Sequence, residues 1–187
     1  MFSNCQVSPP EPSNATGRVA SLHLHPAQAH SPLTAVTSVE VVEQQGIAGE
    51  PRYFGRTSAN GQPAKRQISL MEREQIAGHS TALGLAGIPP GAVRANIETS
   101  DIALVALVGR QIEIGNAVLF IALPRDPCEK MDAICRGLRE RMLNNRQGVL
   151  AQVLRSGTIR VGDEIRVLPP AEEIAWPASP ASLNVPP

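Results

Sequence analysis

Cys128 is the residue whose type and setting could do chemistry. It lies in Pro124-Arg125-Asp126-Pro127-Cys128-Glu129, between the apolar run Ala117–Leu123 and a stretch that reads as helix. Asp126 suits an N-cap, Pro127 the first helical position, and Glu129 follows the cap by three residues. That pattern predicts Cys128 in the first turn of a helix, where free N–H groups and the helix dipole favour negative charge. With Arg125 beside it, such a thiol should ionise more readily than a free one, and a thiolate is the form that binds a soft metal or carries sulfur. A plainer reading stands beside this. Cysteine is often an inert core residue, and Cys128, Met131, Cys135, Leu138 and Met142 have the spacing of one apolar helical face.

Groups suited to an anion occur at four further places. Gly46–Phe54 is a glycine-bearing segment ending in Arg52, Tyr53 and Phe54; Lys65-Arg66-Gln67 precedes a strand-like Ile68; Arg94 and Asn96 alternate with apolar residues; Arg125 neighbours the thiol. Arginine grips phosphate in bidentate fashion, and glycine lets backbone amides approach closely. Each arginine alone reads as a solvated surface group, so a site requires several to converge on Cys128. His23 and His25 are two apart, with His30 downstream, but no neighbouring Cys or acid completes a metal set, and they read as structural. His79 reads as a solvent-facing helix residue. There is no P-loop, dinucleotide-binding glycine motif, HExxH or paired CxxC.

The elements that must position these groups are mostly strands. Short apolar runs at Val19–Leu24, Val36–Val42, Val93–Ile97, Leu104–Val108, Gln111–Ile114, Ala117–Leu123, Val149–Leu154, Thr158–Val161 and Glu164–Leu168 are separated by glycine-bearing turns. Many short strands at close spacing predict a mainly β fold, a barrel or sandwich. Two helical regions interrupt them. Ser69-Leu70-Met71-Glu72 has the form of a capping box before Met71–Leu83, and the second region runs from Pro127 to about Asn144 with Gly137 bending it.

With 187 residues, the chain divides into an N-terminal arm 1–17, one folded domain 18–168 and a Pro-rich C-terminal arm 169–187, whose Trp176 and Leu183 could tack it onto the body or onto a second subunit in a homodimer. Hydrophobic residues make up 42% but aromatics only 3%, so the core must be aliphatic. Lys+Arg and Asp+Glu are equal at 17 each, which offers no broad basic field for nucleic acid or a membrane surface. Three cysteines cannot make a disulfide framework, and no apolar run reaches membrane-spanning length. The expectation is a reduced cytoplasmic protein.

Several of these motifs, in this order, resemble a known family. They are Gly46-Ile47-x-Gly49-Glu50-x-Arg52-Tyr53-Phe54, then Arg66-Gln67-Ile68-Ser69-Leu70, then Gly91-x-x-Arg94-x-Asn96-Ile97-Glu98-Thr99, then Ile114-Gly115-x-Ala117-Val118-Leu119, then Pro127-Cys128 and Gly162-Asp163. The chain from Ser21 to Leu168 is similar to the MOSC domain, named for the C-terminal part of molybdenum-cofactor sulfurases. One departure is Gly49-Glu50-Pro51-Arg52, where the family pattern has Gly-Asp-Arg. The resemblance implies a closed β-barrel of the pyruvate-kinase-barrel type with two or three flanking helices. It implies molybdenum cofactor (molybdopterin) binding, sulfur transfer, or reduction of N-hydroxylated compounds. Cys128 would be the catalytic residue and metal ligand, or the persulfide carrier; Arg52, Arg66, Arg94, Asn96 and Arg125 would bind the cofactor.

Three functions follow as expectations. The first is a small molybdoenzyme acting on a small molecule with an external electron donor. The second is a sulfur carrier loaded by a cysteine desulfurase, since the chain has no pyridoxal-phosphate domain of its own. The third is a binding module that keeps only the fold.

Overall fold

A computed structural model describes residues 16–29 and 31–169. His30, Trp176, Leu183 and nearly all of both expected arms lie outside the described residues. Thr16 and Gly17, assigned to the arm by sequence, belong to the first strand.

The chain opens with β1 (Thr16–Leu24) and turns through β2 (Thr34–Val36), β3 (Ser38–Val42) and the two-residue β4 (Gly46–Ile47). After a long excursion comes β5 (Ile68–Glu72), followed at once by α1 (Arg73–Ala82) and then β6 (Ile97–Ser100). β7 (Gln111–Ile114) and β8 (Ala117–Pro124) form a hairpin. The short α2 (Leu138–Arg141) leads to β9 (Val149–Arg155), β10 (Gly157–Arg160) and β11 (Glu164–Val167).

Seven strands in the order β11-β7-β8-β9-β5-β6-β1 close into a barrel, because β1 also pairs with β11 through Thr16–Arg166, Gly17–Ile165 and Arg18–Glu164. β2 hangs on β1, and β10-β3-β4 form a separate small sheet. β5 and β6 run parallel, which a tight hairpin cannot achieve; the connection carrying α1 makes it possible. The fold expected from the sequence is the one observed. Among the described residues, no helix is long and apolar enough to cross a membrane.

Two apolar cores explain the layering. Val19, Leu22, Leu70, Ile97, Ile112, Leu119, Ala151 and Ile165 pack inside the barrel. Met71, Ile76, Ile88, Val93, Met131, Leu138 and Met142 form a second core under the helices. All five residues of β5 are buried, since Ile68 and Leu70 face the barrel while Met71 faces the helical layer.

The structure corrects five local readings. The second helical region is not one helix: Glu129–Met131 is a single 3₁₀ turn, and α2 begins only after Gly137. Asp132 accepts hydrogen bonds from the amides of Gly137 and Arg139 at 3.0 and 3.1 Å, so it caps α2 where a continuous helix would have run on. Ser69 is not a helix cap but a strand residue bonded to Asn96, and α1 starts at Arg73 without a side-chain cap. Leu104–Leu107 is a 3₁₀ turn rather than a strand. The chain turns at residues 91–93 and passes through Arg94 at φ +61°, so the strand starts only at Ile97; Asn96 and Glu98 are buried and Arg94 is half-buried. His79 is also buried, its Nε2 2.8 Å from the Arg146 carbonyl oxygen.

Candidate functional site

Cys128 has extended backbone (φ −110°, ψ 171°) and precedes only a three-residue 3₁₀ turn. The expected helix N-terminus is therefore absent, and so is its dipole. The apolar-stripe reading fails too: Met131, Leu138 and Met142 belong to the second core and Cys135 packs against it, but Cys128 does not. Its thiol is free and half-buried. Its electrostatic neighbours include the guanidinium groups of Arg94 and Arg125.

Arg125 leaves the end of β8, its amide held by the Gly148 carbonyl at 3.0 Å. Its side chain is 6% exposed; Nη2 donates to the Val93 carbonyl at 3.3 Å, and Nη1 is buried with no partner. Burial above all, then the Arg66 charge, pushes its pKa down to about 10, against an opposing pull from Cys128 and Tyr53. Arg94 donates to the Ser31 carbonyl through Nη1 at 2.9 Å, while Nη2 is buried and unpartnered. Its pKa is lowered by burial and then by Arg52, and raised by Tyr53 and Cys128. Arg66 stacks over the Tyr53 ring at 4.3 Å, with Arg52 and Arg56 at 5.8 and 5.9 Å. Arg94 and Arg125 thus each feel the charges of Cys128, Tyr53 and Arg66, and Arg94 that of Arg52 as well. Among the described residues, none of these four arginines forms a salt bridge with a carboxylate.

The neighbouring acid is already committed. Glu50, 2% exposed, has Oε1 2.8 Å from His25 Nδ1 and accepts from Asn96 Nδ2 through Oε2 at 2.7 Å. Asn96 also donates to the His23 carbonyl at 3.2 Å, and its Oδ1 accepts from the Ser69 amide and hydroxyl. Its side chain braces the site from within; its polar atoms are spent on protein partners. His25 meets Tyr53 edge-on, ring centroids 5.0 Å apart. Burial lowers the His25 pKa despite the Glu50 carboxylate, so the ring is neutral near pH 7 and its Nδ1–H donates to Glu50.

His25 and the Glu50 pairing escaped the sequence reading. The two histidines were visible as a pair, but nothing in their spacing reveals an acid twenty-five positions on in a separate loop.

A family model described as MOSC domain matches residues 35–166. Comparison with curated proteins finds no match. Among solved structures, the YUAD protein from Bacillus subtilis superposes with a TM-score of 0.68 at 22% identity, covering 81% of this chain and 95% of that one. YiiM from Geobacillus stearothermophilus gives 0.64 at 17% identity, covering 82% and 75%. YiiM from Escherichia coli gives 0.59 at 15%, covering 81% and 70%. At these identities the structural likeness speaks for the fold alone. The family match spans well over half of the sequence and includes Cys128 and all four arginines, and on it the chain belongs to the MOSC domain family.

Proposed function

We propose that the cluster around Cys128 binds the molybdenum cofactor, and that the protein is a small molybdenum-dependent reductase of N-hydroxylated compounds fed by an external electron donor. The observation that carries this reading is the pair of buried, unpartnered guanidinium nitrogens, Arg94 Nη2 and Arg125 Nη1, near a buried acid, Glu50, that is held by His25 and Asn96. A buried cation without a partner is costly unless a ligand completes it, and a phosphate oxygen is the natural complement.

The residues fit this cofactor in a second respect. Among the described residues, no three His, Cys, Asp or Glu side chains stand close enough to hold a metal ion. A metal here would have to arrive with most of its ligands attached, as it does on a pterin dithiolene, and need only one soft protein ligand. The Cys128 thiolate suits that position.

When bound, the cofactor would supply the two-electron redox chemistry. The chain's own residues then have separable roles. Arg94 and Arg125 bind the phosphate; Arg66 and Arg52, ranged on Tyr53, hold the anionic pterin side; Asn96 fixes Glu50, and Glu50 fixes His25. Reduction of an N–OH group consumes two protons, which arginines cannot release in the working range. His25, neutral near pH 7 and held by Glu50, steadies Tyr53 edge-on, so those protons come from solvent reaching the half-buried thiol.

The test is molybdenum and oxidised-pterin content in wild type and Cys128→Ala, produced side by side in a cofactor-competent host. Stoichiometric metal in the wild type, lost in the variant, is the expected result. Metal retained in Cys128→Ala removes the ligand assignment. If the wild type carries neither metal nor pterin, the second reading leads: the same half-buried thiol among cations would hold a persulfide anion. That reading requires a one-sulfur mass gain on Cys128 after incubation with a cysteine desulfurase.

A further inference from the structure

The excursion between β4 and β5 carries a charge imbalance that the cofactor reading uses only in part. From residue 51 to residue 71 the chain holds Arg52, Arg56, Lys65 and Arg66 and no Asp or Glu, in a protein of zero formal net charge. Arg52 and Arg66, both half-buried, stand over Tyr53, and Arg56 reaches the same ring at 5.9 Å from an exposed position. Arg56 and Lys65 are exposed and form no salt bridge among the described residues; the chain segments that carry them meet through the Ala64 amide and the Arg56 carbonyl at 3.0 Å, and Phe54, two positions before Arg56, is a large apolar side chain 38% exposed. The outer part of the loop is held in shape by a bridge between Thr57 and Pro63 and by Ser58 bonding to Asn60. An open cleft of about 1030 Å³ adjoins it, lined by Lys65, Pro63, Ser58, Gln44, Leu154 and one acid, Glu43. One loop thus supplies both the inner wall of the Cys128 cluster and a basic, partly apolar outer surface.

We propose that this outer surface, Phe54, Arg56 and Lys65 with the adjoining cleft, is the docking face for a small acidic electron-carrier protein. The inference rests on the reductase reading. Conversion of R–NHOH to R–NH2 takes two electrons and two protons; the N–O bond breaks and the oxygen leaves as water. The electrons come from the carrier, which is oxidised in one-electron steps. Its surface must approach the cluster closely, and a positive rim with an apolar contact is what complements an acidic partner and steers its approach.

The test titrates the purified protein with a plant-type ferredoxin, an acidic carrier, and reads the dissociation constant by calorimetry. Raising salt from about 20 to about 200 mM should weaken binding by an order of magnitude or more, as should Arg56→Glu with Lys65→Glu. Arg139→Glu with Arg141→Glu, on exposed positions of α2, should leave it unchanged. Phe54→Ala should weaken it without changing the salt dependence. Absence of binding at low salt, or equal losses in the two charge-reversal pairs, overturns the docking face. Loop-dependent binding by a wild type that carries no molybdenum overturns the electron-carrier role together with the reductase reading. Molybdenum present but loop-independent binding overturns only the docking face.

Discussion

Arg125 concentrates the tension between stability and ligand binding in this molecule. A guanidinium 6% exposed, with one nitrogen unpartnered and no carboxylate beside it, raises the free energy of the ligand-free protein. Arg125→Met keeps most of the packed stem and deletes the charge. It should raise the stability of the ligand-free protein by about 1 to 2 kcal/mol in chemical denaturation, since replacing buried ions by apolar groups is often neutral or stabilising. The same variant should lose the stabilisation that phosphate or pyrophosphate gives the wild type in thermal unfolding. A loss of stability in the ligand-free variant would mean that the guanidinium is satisfied by something other than a bound anion. Which side chains could meet an anion was legible in the sequence, because arginine type and motif order carry it. How far each is buried was not. Asn96 read as a ligand-facing group because it alternates with Val93, Ala95 and Ile97; the left-handed turn at Arg94 breaks that alternation and turns the amide inward to Ser69 and Glu50.

The elements that hold these side chains depend on close approaches that periodicity does not encode. β9 begins beside β5 at Gly148, which has φ +72° and where a Cβ would overlap the Leu70 carbonyl oxygen. Its own carbonyl receives the Arg125 amide, so the strand contact and the site arginine share one residue. Gly148→Ala must therefore push β5 from β9 while adopting a strained backbone. We expect a loss of about 3 kcal/mol or more in stability, and a fall in anion affinity even though no ligand-facing group is removed. A fully stable variant with native affinity would show that the strands part at no cost. The strand runs at Gln111–Ile114, Ala117–Leu123 and Glu164–Leu168 were readable because one face of each meets the barrel core. The helix from Pro127 was misread for a related reason: Met131, Leu138 and Met142 do share a core, but a 3₁₀ turn and the Asp132 cap bring them there without a continuous helix. Spacing reports burial; it does not report the backbone path.

For the molecule as a whole, the buried histidines set the response to acid. His23, His25 and His79 are each 4% exposed or less, and burial lowers the pKa of each in the folded state. Unfolding returns them to water, where they titrate near 6.5. As pH falls through that value the unfolded chain takes up protons before the folded one, so stability must fall with it. Each histidine adds at most about 1.4 kcal/mol per pH unit to that slope, approached only well below pH 6.5, and the three contributions have the same sign. Glu72 works in the opposite direction: burial raises its pKa, so its cost to the fold appears as pH rises above the ordinary carboxylate range and is relieved in acid. Three histidines against one carboxyl leave a net expectation of a stability maximum above pH 7 with a falling acid limb. Denaturant melts across pH 5 to 8 would measure the slope. His25→Gln should flatten the acid limb by its share while leaving the closure of the barrel between β1 and β11 intact, because His25 lies beyond the end of β1 and contributes nothing to that pairing. An acid limb unchanged in all three single histidine variants would locate the proton uptake elsewhere and remove the neutral, Glu50-bound imidazole from the account of the site.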